Sequence, residues 1–252
     1  MDNVITSSAN QIVKKIRALK EKKGRELYGA FLVEGDKFIG EIPQSWEVEL
    51  LVAAEGRGLS HALGDCPRVT VSESIFATLT DVKSPQGVLT VVSKRVFTLD
   101  DIKTPTIFVL EGISDPGNLG TILRTCHGLG VGGIIMTPDC VDIYSPKVVR
   151  ASAGSVFHIP FITMEMNDAV NKLKAKNVPI YATVKEGAVP VFELDLTASA
   201  AFLWGNEHKG LKPETITLAG KTATIPASAE SLNVSMAAAI VAYEISRQRI
   251  MQ

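Results

Sequence analysis

The chain has 252 residues, with 26 Lys and Arg against 27 Asp and Glu and a net charge of −1, so no global field draws it onto nucleic acid or an anionic membrane. That length suffices for one large domain or two ordinary ones, burying roughly 70–75% of the unfolded surface without a staple. Three scattered cysteines, Cys66, Cys126 and Cys140, exclude a disulfide framework and point to a reducing, cytoplasmic setting; the N-terminus lacks a signal-peptide core, and no run approaches the roughly eighteen apolar residues of a membrane span.

In chain order, Ile12, Ile16 and Leu19 share one face of a predicted helix over 12–23, with lysines spread over the other and Gly24 as its stop. Between Lys14 and Arg25 the basic residues Lys14, Lys15, Arg17, Lys20, Lys22, Lys23 and Arg25 face a single acid, Glu21. This local patch reads either as an ordinary solvated helix face or as a phosphate-contacting one. Short apolar runs at 30–35, 48–54, 68–72 and 86–94, with the helix-like SESIFATLTDV before the last, predict a small α/β unit. The charged, proline-bearing stretch Lys94–Pro105 reads as a linker and divides the chain into domains at 1–95 and 104–252.

The second half opens on a short β-branched strand, Thr106–Leu110, followed by the turn Asp115-Pro116-Gly117-Asn118, with Asn118 as the expected helix N-cap. Leu119, Ile122, Leu123, Cys126 and Leu129 then recur at helical spacing, which turns one face inward and leaves Arg124 off that stripe. Further predicted elements are a strand at 133–137, a polar loop through Tyr144-Ser145-Pro146, helices at 145–153 and 167–176, and strands at 178–184 and 200–204. A turn at Gly205–Gly210, an extended Lys221–Ile225 and a last helix from near Leu232 complete the chain. Strands separated by helical patterns imply a parallel sheet covered on both faces, whose ligands gather beyond the carboxyl ends of the strands.

Several motifs are excluded by context. GLGVGG matches the dinucleotide spacing at Gly128, Gly130 and Gly133, yet it ends a helix and precedes a strand, so its glycines serve as helix C-caps. There is no phosphate-cradling GxxxxGK[ST] loop, G-x-S-x-G elbow or H-E-x-x-H pair. His61, His127, His158 and His208 do not fall into metal-ligand spacing with the cysteines, so no metal is expected. Cys126 reads as a small core residue and His208 as a solvated loop residue.

Three segments place glycine or proline beside polar residues at predicted strand ends: DPGNLGTILR at 115–124, WGNEHKGL at 204–211 and IPASAESLNVSMAAAI at 225–240. Such turns expose main-chain donors and acceptors suited to a polar heterocycle. Together and in this order they resemble the three motifs of the SpoU/TrmH family of SPOUT RNA methyltransferases. Asn118, Gly120 and Arg124 meet the first motif; Gly205, Glu207, Gly210 and Leu211 the second; Ile225, Pro226, Ser231, Leu232, Asn233, Val234 and Ser235 the third. Only Ala227-Ser228-Ala229-Glu230 separates Ile-Pro from Ser-Leu-Asn, a shorter spacer than is usual there. RELYGAFLVEGDKFIGE at 25–41 is similar to the substrate-binding domain attached to many members.

The resemblance implies an α/β C-terminal domain, a parallel sheet covered by helices and tied in a deep trefoil knot, working as a homodimer, beside a small N-terminal α/β substrate-binding domain. It implies methyl transfer from S-adenosylmethionine to a ribose 2′-hydroxyl, in ribosomal rather than transfer RNA. Arg124 is then the catalytic residue, with Asn118, Glu207, Ser231 and Asn233 around it. Leu203, Gly205, Asn206, Gly210, Ile225, Leu232 and Asn233 would surround the cofactor. Lys14, Lys15, Arg17, Lys22, Arg25, Arg124 and Arg150 would face RNA. Asn118 and Ser231 also read as turn or helix caps, and Glu207 as a cofactor-loop residue or a contact to a partner chain. The Ala-rich run Met236–Ala242 suits a dimer seam or an internal one.

Overall fold

The computed structural model describes residues 4–58, 65–103, 106–228 and 231–250; His61, Thr104, Pro105, Ala229 and Glu230 lie outside the described residues. The chain forms two compact units, one of residues Met1–Arg95 with Asp142–Phe157, the other of Val96–Val141 with His158–Gln252.

The first unit begins with helices α1 (Gln11–Leu19) and α2 (Lys22–Tyr28). The expected single helix over 12–23 is broken between Leu19 and Lys22, and Gly24 lies inside α2 instead of ending a helix. Its Cα packs so close to the Ala18 main chain that a Cβ would stand 1.9 Å from the Ala18 carbonyl oxygen, so only glycine permits the bend. Strand β1 (Ala30–Glu34), helix α3 (Asp36–Gly40), strands β2 (Val48–Ala54) and β3 (Arg68–Val71), helix α4 (Glu73–Leu79) and strand β4 (Val88–Ser93) follow. The sheet order is β1-β4-β2-β3. β4 is antiparallel to both neighbours, and β2 runs parallel to β3. Val13, Ile16 and Leu19 of α1 join Phe76 and Leu79 of α4 and the strand residues Leu32, Val52 and Val91 in one apolar cluster; Ile16 and Leu19 are on the expected inward stripe, whereas Val13 is buried in place of Ile12, which packs half-buried against the cluster.

The second unit starts with β5 (Thr106–Leu110), α5 (Pro116–Gly128) and β6 (Gly133–Met136). The chain then returns to the first unit for α6 (Pro146–Ser152), a return that a division by chain order alone does not anticipate. It resumes the second with β7 (Phe161–Thr163), α7 (Met166–Ala175), β8 (Ile180–Thr183), β9 (Val189–Pro190), β10 (Ala200–Trp204), α8 (Pro213–Ala219), β11 (Lys221–Thr224) and α9 (Val234–Ile250). Seven strands in the order β7-β6-β5-β10-β8-β11-β9 make a sheet in which every pairing is parallel. β7 and β9 are too short to register as apolar runs. One face buries Ile107, Val109, Ala201 and Leu203 under Val170 and Leu173 of α7. Alternate residues turn Phe108, Phe202 and Trp204 to the other face, where the rings pack together. All ligand-ready turns of a parallel sheet therefore fall at one end, beyond Leu110, Trp204 and Thr224.

Candidate active site

The path of the chain after β5 decides where the first motif points. Glu111 is buried, and its carboxylate accepts the Lys212 main-chain N–H at 2.9 Å and the Thr215 hydroxyl at 2.6 Å, anchoring the start of α8. Gly112 follows with φ +64°, and its N–H donates to the Thr137 hydroxyl at 3.0 Å. A Cβ there would meet the Asp139 carboxylate at 3.2 Å. Thr137, whose hydroxyl also pairs with Asp139, thus shapes this turn, although no motif marks it.

Asp115, not Asn118, is the cap of α5. Its carboxylate accepts the Asn118 main-chain N–H at 2.8 Å, and Pro116 takes the first helical position, where a missing N–H leaves no bond unmade. Asn118 sits inside the first turn with its carboxamide free of capping. That carboxamide donates from Nδ2 to Glu207 Oε1 at 3.0 Å and accepts at Oδ1 from Asn233 Nδ2 at 3.0 Å.

Glu207 comes from the loop after β10. Gly205 opens that loop against the Gly210–Leu211 main chain, where a Cβ would stand 2.1 Å from the Gly210 carbonyl carbon. Asn206 and Gly210 exchange main-chain hydrogen bonds at 3.2 and 2.9 Å, and Gly210 closes the loop at φ +70°. Asn206 Nδ2 reaches back to the Gly112 carbonyl at 2.7 Å, and its Oδ1 accepts from the His208 main chain at 3.0 Å. Glu207 accepts from the Ser114 hydroxyl at 3.1 Å, the Asp115 main chain at 3.1 Å, Asn118 and Asn206. Burial raises its pKa, but the hydrogen bond from Asn118 and those from main-chain N–H groups outweigh it and hold the carboxyl below the usual range.

Asn233, not Ser231, caps α9: its Oδ1 accepts the Ser235 hydroxyl at 2.6 Å and the Ser235 and Met236 main-chain N–H groups at 2.9 and 3.3 Å. The amide orientations follow from one another. Glu207 as a carboxylate accepts only, so Asn118 turns its nitrogen there and its oxygen to Asn233, whose own oxygen is left for the helix. Three segments separated by about ninety and thirty residues are thereby joined in one directional hydrogen-bond chain, Ser114–Glu207–Asn118–Asn233–Ser235.

Arg124 lies on α5 about 9 Å further along its axis at ~1.5 Å per residue. It is exposed, makes no hydrogen bond or ion pair among the described residues, and lines a shallow groove with Thr121, Thr125, Gly128 and Leu129. Ile225 is half-buried, while Leu232 and Ser231 are exposed. Thr224, at the end of β11, donates to the Lys185 carbonyl at 2.8 Å. Leu203, expected at the cofactor, is fully buried in the sheet core, so its side chain is unavailable to any ligand.

In the first unit the basic patch divides. Lys14 and Lys22 are exposed, Lys15 pairs with Glu49 at 2.7 Å, and Arg17 donates to Thr78 at 2.7 Å. Arg25 is 3% exposed, so the expected RNA contact is replaced by a structural one. Its guanidinium binds Asp142 at 2.8 Å and the Leu19 and Lys20 carbonyls at 2.9 and 2.7 Å, closing the joint between α1 and α2. Arg150, on α6, is half-buried in a cleft beside Glu34, Lys20 and Asp81.

Residues 105–243 match the model of the SpoU rRNA Methylase family, and residues 10–90 that of the MRM3-like substrate binding domain. The 23S rRNA (guanosine(2553)-2′-O)-methyltransferase RlmP of Bacillus subtilis is 31% identical over 96% of this chain and 98% of its own. Among solved structures, an AdoMet-bound rRNA methyltransferase from Sinorhizobium meliloti superposes with a TM-score of 0.85 at 34% identity, covering 97% of both chains. AviRb of Streptomyces viridochromogenes, in complex with AdoMet, gives a TM-score of 0.86 at 31% identity over 96% of this chain and 98% of its own. With its family model spanning more than half the sequence and its hydrogen-bonded motif residues at one end of the parallel sheet, this chain belongs to the SpoU rRNA methylase family.

Proposed function

We propose that the protein transfers the methyl group of S-adenosylmethionine to a ribose 2′-hydroxyl of ribosomal RNA. One observation carries this reading: Asn118, Glu207 and Asn233, one from each motif, are hydrogen-bonded together beside the turn of α5. Names of relatives favour ribosomal over transfer RNA.

The strand ends fit the cofactor. Gly205 packs against the Gly210–Leu211 main chain, Gly210 has open space where a side chain would stand, Ile225 and Leu232 offer apolar edges to an adenine, and Asn206 holds the loop against Gly112. Bound there, S-adenosylmethionine supplies a methyl made electrophilic by its sulfonium. This chain's part is to hold the ribose and disperse charge. A guanidinium stays protonated throughout the physiological range and is a poor base at neutral pH. Arg124 therefore clamps the target phosphate in bidentate fashion and stabilises the developing alkoxide, the proton leaving to phosphate or water. Asn118, locked by Glu207, orients the ribose. The shortened Pro226–Ser231 spacer leaves the cofactor loop to Ile225 and Leu232.

The reading includes a homodimer through the second unit. Met236, Ile240, Tyr243 and Ile250 form an exposed apolar stripe along α9, against the side on which Ala238, Val241 and Ala242 are buried within the chain. It also includes the trefoil knot, which rests on family membership, and a cytoplasmic setting, supported by three free cysteines. Among the described residues no helix is long and apolar enough to cross a membrane, and no cluster of His, Cys, Asp and Glu is arranged for a metal ion. Lys14, Lys22 and Arg150 are the RNA contacts of the first unit in this reading.

The test is incubation of the protein with labelled S-adenosylmethionine and purified 23S rRNA, followed by nucleoside analysis. A single 2′-O-methylated nucleoside is expected, and Arg124→Lys should lose most of the activity. Near-normal methylation by that variant would sink the bidentate clamp. RNA binding without any methylated product would favour a non-catalytic RNA-binding module, against which the intact Asn118, Arg124, Glu207 and Asn233 argue.

A further inference from the structure

Resting on the RNA-methylation reading, we infer that the stacked rings of His127 and His158 form a platform for an unstacked RNA base next to the phosphate held by Arg124. The two imidazoles lie with centroids 4.4 Å apart and planes within 12°, and both residues are exposed. One ends α5 and the other precedes β7, so tertiary structure alone brings them together.

The location suits RNA. His127 is three residues beyond Arg124 on α5, a spacing that makes the two side chains neighbours on the helix surface, with Cβ atoms roughly 5–6 Å apart. A phosphate gripped by Arg124 thus places its nucleotide within reach of the rings. The ground between is open: Arg124 lines its groove with Thr121, Thr125 and Gly128, and a Cβ built on Gly128 would meet nothing within 4 Å. Sequence-specific RNA recognition relies on splayed bases stacked on aromatic side chains, histidine included. A stacked pair of rings on two exposed residues, beside a cation with no hydrogen bond or ion pair among the described residues, supplies both halves of such a contact.

A metal site is the competing use of two histidines. Near-parallel rings set their nitrogens side by side and do not converge them on one ion, and among the described residues no third ligand joins them. Gly133 and Cys126, their neighbours in sequence, are spent in packing: a Cβ at Gly133 would stand 2.6 Å from Ile102, and Cys126 is fully buried.

The test compares purified 23S rRNA binding, and KM and kcat for its methylation, in His127→Ala, His158→Ala, His127→Phe and His127→Gln. Each alanine variant should weaken RNA binding and raise the RNA KM by about 5- to 100-fold, the range of one base–aromatic stack, with kcat little changed and S-adenosylmethionine affinity at the wild-type value. The phenylalanine variant, which keeps a ring without a proton to share, should restore binding; the glutamine variant should not. Alanine variants that bind RNA as tightly as wild type, or glutamine restoring as well as phenylalanine, would overturn the platform. Wild-type protein that methylates no rRNA would instead overturn the reading beneath it, and the platform with it.

Discussion

Arg25 and Arg124 are equivalent in a list of basic residues, and the fold makes opposites of them. Arg25 is buried with all its bonding directed inward to Asp142 and two carbonyls; Arg124, on an exposed helix face, has no partner among the described residues. A guanidinium surrendered by water must be fully paired, so Arg25 is structural. One kept in water and left unpaired is held for something that arrives. The first turn of α5 adds a third case, polar groups partly exposed yet saturated by one another. Around this cation, the hydrogen bonds of the neighbouring motif residues serve rigidity, and the Arg124 donor fork is the one that the proposed mechanism gives to the substrate.

The largest effect that tests this contrast is on stability. Arg25→Ala leaves Asp142 and two helix-end carbonyls without their cation and should cost about 3–5 kcal/mol, read as a fall in the denaturant midpoint. A loss below about 1 kcal/mol would mean that Arg25 is not structural. Arg124→Ala should do the reverse, lowering kcat about 100- to 1,000-fold while the melting midpoint stays at wild type. Loss of folding in that variant would erase the comparison.

Next is Asn118→Asp, which sets a second carboxylate where the amide nitrogen now stands 3.0 Å from Glu207. The like-charge contact should cost about 1–3 kcal/mol at neutral pH and raise the pKa of one member of the pair. Wild-type behaviour would mean the chain from Glu207 to Asn233 is incidental.

A smaller effect concerns pH. Because the Glu207 carboxyl titrates below its ordinary value of 4.5 in the folded protein, its contribution is complete above that value and fades as pH falls through the folded pKa. The stability difference between wild type and Glu207→Gln should therefore be constant near neutrality and shrink below about pH 4.5. A difference unaltered down to pH 3 would argue against a charged Glu207. Smallest of all, Lys14→Ala and Lys22→Ala should each weaken rRNA binding severalfold and flatten its dependence on salt by about one counterion.

Much of this was present in the residues before folding. Short apolar runs and a 3.6-residue period located most strands and helices, the alternation of the two implied a parallel sheet, and three Gly- or Pro-bearing segments marked its ligand end. What failed did so where a local rule had a tertiary competitor. Asn118 is a good capping residue, but Asp115 with Pro116 is a better start, and the loss of that role frees Asn118 to bridge. Gly24 reads as a helix stop only until the packing of α2 on Ala18 is known. Leu203 sits in the right segment, but β10 is covered on both faces, its odd-numbered residues in the apolar cluster with α7 and its even-numbered rings packed on the other side, so the side chain is enclosed. Thr137 and Asp139, which shape the Gly112 turn, carried no signal at all, being ordinary residues 25 and more positions away from it.

The sequence by itself determined what is local or periodic: the elements, the parallel sheet, the motif loops and the identity of Arg124 as a cation outside the apolar stripe. Tertiary structure decided which polar groups pay for one another. Hydrogen bonds such as Asn118 to Glu207 and Asn233, and the burial of Arg25 against Asp142, join residues about ninety to one hundred and twenty positions apart. A side chain's freedom to act depends on whether such distant partners have already claimed it, and no stretch of sequence records that.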